Sequence, residues 1–182
     1  MDLTEKQRSS TPQYHGIIVD VRTDEVTLPD GGQSVREVVS HPGGVAILPL
    51  TDEGEVVLVR QYRYPVGEAL LEVPAGKLER GEDHFLAGLR ELEEEVGLIP
   101  EKMEYLGGLY VSPGFCTEMI HLYLATGLKQ GTAHPDEDEF LNVERMSFDT
   151  LFEQVMAGEI KDAKTAALVL KTKLLKEGER RG

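Results

Sequence analysis

The stretch 75–98, AGKLERGEDHFLAGLRELEEEVGL, constrains this chain more than any other. Its spacing predicts one amphipathic helix over roughly 83–96. Phe85, Leu89, Leu92 and Val96 recur at steps of four, three and four and are expected to form the buried stripe. Asp83 stands where an acid favours the positive helix end, and Gly97 where a left-handed cap is commonly needed. Glu91, Glu94 and Glu95 are related by i, i+3 and i, i+4 steps, so their carboxylates lie together. Such pairs repel by roughly 0.2–0.5 kcal/mol each, and they crowd the negative end of the helix. Arg90 alone does not neutralise them, whereas a bound cation would. Oxygen-only ligands point to Mg²⁺, with Mn²⁺ as a substitute. The plain alternative is a solvated acidic face.

The residues around these glutamates follow a wider pattern. Gly76, five residues, Glu82, seven residues, then Arg90-Glu91-Leu92-Glu93-Glu94-Glu95-Val96-Gly97-Leu98 resembles the Nudix box at every defined position. The resemblance implies an α+β fold, a Nudix-type α/β/α sandwich with a mixed sheet, and a loop–helix–loop that holds divalent metal against a diphosphate. Carried onto this chain, Glu91 and Glu95 would bind metal directly. Glu94 would bind it directly or through water, Glu82 in the loop before the helix would be a further water-mediated partner, and the Ala75 carbonyl would add a backbone oxygen. Arg90 would orient the glutamates.

The rest of the chain agrees with one compact enzyme domain and a small addition. At 182 residues, 40% hydrophobic and 29% charged, it is long enough to bury a core. A net charge of −14 argues against nucleic acid as a partner. No run approaches a membrane span, and the polar start MDLTEKQRSSTPQ has no apolar leader. One cysteine fits a reducing compartment, so the expected location is cytoplasmic.

Residues 1–13 are expected to fray. Extended runs at 16–22, 25–28 and 35–39, with the turn Pro29-Asp30-Gly31-Gly32, predict a small N-terminal antiparallel sheet. That sheet is too thin to bury a core, so residues 1–42 are expected to dimerise the chain and 43–182 to form the Nudix domain. Runs at 45–50 and 56–62 are near-continuously apolar, as in strands covered on both faces. Further strands are expected at 69–73, 105–111, 119–125 and 141–146. Helices are expected from Ser147 or Phe148 to Met156 and over 164–176, with Asp149 or Asp162 as cap residues.

The implied reaction is attack of water on phosphorus in a nucleoside diphosphate linked to another group. A general base must come from outside the helix, and the acidic loop His134-Pro135-Asp136-Glu137-Asp138-Glu139 is the best source: Glu139 first, Glu137 second. Pro113, fifteen residues after Leu98, resembles the mark of the ADP-ribose-hydrolysing Nudix subgroup. By the same resemblance Ser112, Pro113 and Gly114 would touch the terminal ribose side, and Glu118 would approach it or a metal. Arg63 would contact phosphate, and Arg36 with Glu37 would reach into the site of a partner subunit. The segment 158–165, Gly-Glu-Ile-Lys-Asp-Ala-Lys-Thr, is also similar to the subgroup. The expected activity is Mg²⁺-dependent hydrolysis of ADP-ribose to AMP and ribose 5-phosphate by a homodimer. The alternatives are another nucleoside diphosphate sugar such as GDP-mannose, or a nucleotide-binding sensor without catalysis. The chain has no Trp to stack adenine, and Cys116 reads as a small packing residue.

Overall fold

The structure, a computed structural model, describes residues 1–135 and 140–179. The chain divides into two compact units, one of residues 1–43 and 110–119, the other of 44–109 and 120–182.

The first unit is built on a three-stranded antiparallel sheet of β1 (Lys6–His15), β2 (Asp20–Thr27) and β3 (Gln33–Ser40), in that order. β1 occupies the segment expected to fray. Every side chain on it is exposed, so it shows no apolar alternation to betray a strand; its backbone ladder to β2 is what orders it. β2 likewise runs unbroken through what reads in the sequence as two shorter runs. The Leu28–Gly32 turn closes the second hairpin, with the Gly31 amide donating to the Leu28 carbonyl at 2.9 Å. Residues 110–119 attach through a parallel bridge between Val39 and Cys116. The Val39 amide donates to Phe115 and the Thr117 amide to Val39.

The second unit has two sheets. β4 (Gly44–Pro49), β7 (Ala75–Lys77), β8 (Leu98–Tyr110) and β9 (Met119–Gln130) form one in the order β7-β4-β9-β8, with β4 and β9 parallel and β4 and β7 antiparallel. β5 (Glu55–Arg63), β6 (Glu68–Glu72) and β10 (Leu141–Ser147) form an antiparallel sheet in the order β10-β5-β6. The helices are α1 (His84–Val96), α2 (Phe148–Ala157) and α3 (Ala163–Glu179).

The period of two along β4 and β5 divides the core. Val45, Ile47, Val57 and Val59 pack with Ala87, Leu92 and Val96 of α1. Ala46, Leu48, Val56 and Leu58 pack with Leu151 of α2 and with Leu168 and Val169 of α3. Strands buried on both faces, with helices on each, are what their unbroken apolar runs predict. Ser147 caps α2, its Oγ accepting from the Thr150 amide at 3.1 Å. Asp149 stands in the first turn instead. Among the described residues no helix is long and apolar enough to cross a membrane.

Candidate active site

α1 begins and ends as its sequence requires. Asp83 Oδ1 accepts from the Phe85 amide at 2.9 Å and the Leu86 amide at 3.2 Å. Gly97 adopts φ 64° and its amide returns to the Glu93 carbonyl, the left-handed stop that favours glycine.

The buried face of α1 keeps only part of the stripe the apolar spacing suggests: Leu92 and Val96 are buried, Leu89 is half-buried and Phe85 is exposed. Phe85 is 40% exposed, and the buried positions are Ala87, Gly88, Glu91, Leu92, Glu95 and Val96. Gly88 explains the rotation. A Cβ there would lie 2.9 Å from Met103 Cε and 3.2 Å from Val45 Cγ2, so the helix approaches β4 through its smallest residues. That turn carries Glu91 and Glu95 out of solvent, to 8% and 2% exposure.

Each carboxylate of the array has a defined contact. Glu95 Oε2 accepts from the Ala75 amide at 3.1 Å, so the structure ties Ala75 to the array through its N–H. Glu91 rests against Gly76, where any Cβ would overlap its carboxylate. Arg90 gathers the others. Its Nη1 lies 2.9 Å from Glu91 Oε1 and donates to Glu94 Oε2 at 2.8 Å. Its Nε and Nη2 donate to the two oxygens of Glu82 at 3.2 and 3.3 Å. The hydrogen bond from Arg90 holds the Glu82 carboxyl below the usual range. Burial works against the Arg90 charge, but the bond to Glu82 and the charge of Glu91 outweigh it and raise the guanidinium above its ordinary value. One cation thus serves three carboxylates, while Glu95 is met by a backbone amide.

Among the described residues no three His, Cys, Asp or Glu side chains converge as a complete metal cage. A complete cage is not what a magnesium site needs, because that ion takes one or two carboxylates and completes its shell with water and substrate oxygens. The donor set here is oxygen only, Glu91 and Glu95 are buried one helical turn apart, and Gly76 leaves room for a carboxylate where a side chain would stand. These residues fit a hard divalent cation.

The remaining candidates fall into separate settings. Arg63 is paired bidentately with Glu72, its Nε and Nη2 donating at 2.7 and 2.8 Å. In the first unit, Arg36 is paired with Glu5 at 2.6 and 2.9 Å, and Glu37 is exposed on β3. The Ser112 carbonyl accepts from the Phe115 and Cys116 amides, closing a turn over the exposed Pro113 and Gly114. Glu118 Oε1 lies 3.6 Å from His41 Nδ1. Glu137 and Glu139 lie outside the described residues. Their flanks are fixed: the His134 amide donates to the Glu94 carbonyl at 2.9 Å, and Leu141 pairs with Gln61 on β5. A groove of about 730 Å³ lined by Tyr105, Leu106, Leu174 and Leu175 carries none of these groups.

Glu72 is the residue the sequence reading passed over. It is 1% exposed and receives both Arg63 and Lys164. Burial pushes its pKa up, yet the bonds from Arg63 and the Lys164 charge win and leave the carboxyl below the usual range. The signal was present: one acid inside Leu70-Leu71-Glu72-Val73 must either face solvent or meet a cation.

With this geometry in place, comparison with known proteins is decisive for the family. The NUDIX domain matches residues 40–169. The chain belongs to the Nudix family. This Nudix chain is 44% identical over 170 residues to Methanol dehydrogenase activator of Bacillus methanolicus, covering 92% of each sequence. It is 41% identical over 166 residues to ADP-ribose pyrophosphatase of Bacillus subtilis (strain 168), covering 90% of each. The crystal structure of an ADP compounds hydrolase superposes with a TM-score of 0.87 over 100% of both chains. At 20% identity that match shows the shared Nudix fold.

Proposed function

We propose that this Nudix chain hydrolyses the diphosphate of ADP-ribose, giving AMP and ribose 5-phosphate, with Mg²⁺ as cofactor. The observation that carries the reading is the buried pair Glu91 and Glu95, set in a complete box with Arg90 bridging Glu82, Glu91 and Glu94. The substrate class is supported by the ADP-ribose pyrophosphatase of Bacillus subtilis, which aligns over 90% of both sequences.

Glu91 and Glu95 would hold the cation, with Glu82, Glu94 and the Ala75 backbone supporting it. Bound there, Mg²⁺ would offset charge on the diphosphate and lower the pKa of a coordinated water. The chain's own residues do the rest. Arg90 keeps the carboxylates apart and oriented. Arg63 supplies positive charge to a phosphate. Glu139, with Glu137 as the second choice, takes the proton of the attacking water. The bond from the His134 amide to Glu94 supports this role, because it ties the residues just before the acidic segment to the box helix. Ser112, Pro113, Gly114 and Glu118 contact the terminal ribose. Arg36 and Glu37 act from residues 1–42 of a second copy, making the active form a homodimer. A single cysteine fits the cytoplasm, where we place the reaction.

Incubation with ADP-ribose and Mg²⁺ tests this. The expected result is equimolar AMP and ribose 5-phosphate, with ADP-ribose ranking first by kcat/KM in a panel that includes GDP-mannose. Absence of AMP, or GDP-mannose ranking first, would overturn the substrate assignment. The 44% identity to Methanol dehydrogenase activator favours a second reading, action on a dehydrogenase. Adding the chain to a methanol dehydrogenase and following methanol oxidation tests it: a raised rate supports it and an unchanged rate refutes it.

A further inference from the structure

The segment 158–165 has no role in the reaction described above, yet it builds a clamp. Asp162 Oδ2 accepts from the Thr165 amide at 2.9 Å and the Thr165 hydroxyl at 2.6 Å, capping α3. Asp162 Oδ1 accepts from Lys164 Nζ at 2.8 Å, and Lys164 donates in turn to Glu72 Oε2. Thr165 Oγ1 accepts from the Val73 amide at 2.9 Å, fixing the backbone beside Glu72. Three residues beyond Glu72, the Ala75 amide holds Glu95. One short strap therefore joins the start of α3, the carboxylate of Glu72 and the glutamate array.

Stability alone does not call for this arrangement. Apolar residues of similar volume often replace a buried ion pair at no loss. The asymmetry of the two cations is informative. The Lys164 side chain is 12% exposed and sits inside, whereas Arg63 keeps 38% of its side chain accessible. Glu72 takes Nε and Nη2 of Arg63 and leaves the remaining guanidinium N–H groups for another partner. The charge of Glu95 also acts on Arg63, which puts the arginine in electrostatic reach of the array.

We propose that Glu72 is a positioning residue for Arg63: it fixes one edge of the guanidinium so that the other edge meets the substrate diphosphate, and Asp162, Lys164 and Thr165 hold Glu72 in place. This rests on the reading that Arg63 contacts phosphate. A long side chain ordered before binding does not lose its rotamer freedom when the anion arrives, so the gain falls on affinity.

A double-mutant cycle with R63A and E72Q, read as kcat and KM for ADP-ribose alongside each Tm, tests the proposal. R63A is expected to raise KM about tenfold or more, and E72Q by a comparable factor, with smaller changes in kcat. Adding E72Q to R63A should then raise KM less than about threefold further, because Glu72 acts through Arg63. E72D keeps the charge but is shorter, and should fall between wild type and E72Q; it carries the cycle if E72Q fails to fold. Equal E72Q effects in both backgrounds, or a lowered Tm with unchanged KM, would overturn the role of Glu72. An unchanged KM in R63A would overturn the phosphate contact itself.

Discussion

At Gly76 one methyl group decides where Glu91 can stand. A Cβ there would collide with the Glu91 carboxylate, the movable end of a long side chain. G76A is therefore expected to change Tm by no more than about 2 °C while lowering kcat/KM at least about tenfold. Melting curves and initial rates on one preparation check this; parallel losses of both would contradict it. E95Q separates metal from fold in another way. Mg²⁺ should raise the Tm of wild type by binding the native state, and should do so little or not at all in E95Q. These glutamates were legible in sequence as a crowded group. Their burial was not, because the periodicity of Phe85 and Leu89 pointed to a different face. Glu72 was hidden for a related reason: its partners Arg63 and Lys164 lie 9 and 92 residues away, and no local pattern pairs them.

At the scale of elements, α1 owes its place to a close approach to β4 at Gly88 as well as to the buried Leu92 and Val96. G88A would press a methyl group against Met103 and Val45. The expected cost is about 1–3 kcal/mol, read as a lower denaturant midpoint with an unchanged slope. No change in midpoint would mean that the helix does not rest there. The boundaries of α1 and the double burial of β4 and β5 were readable, since capping residues and unbroken apolar runs act locally. β1 was not readable. A strand with every side chain in solvent is held by backbone pairing, which leaves no hydrophobic signature.

At the scale of the whole molecule, acid stability follows from the carboxylates. Glu72 and Glu82 have folded pKa values below the ordinary 4.5, so the unfolded chain takes up their protons first. Their contribution is complete above about pH 4.5 and is lost as pH falls through the depressed folded values. Burial, helped by the charge of His84, also lowers His121 below 6.5; its contribution is complete above about pH 6.5 and declines below. Thermal melts from pH 8 to 3 should therefore show Tm falling with acid in two windows, and H121N should remove the upper one. Homodimerisation through residues 1–42 is checked by sedimentation of the full chain, a monomer counting against it. Whether a cation binds at the glutamate pair is decided by a crystal soaked in Mn²⁺ with a nonhydrolysable ADP-ribose analogue. An anomalous peak is expected within bonding distance of Glu91 and Glu95 oxygens; saturating Mn²⁺ with no peak beside that pair would rule out a metal site there.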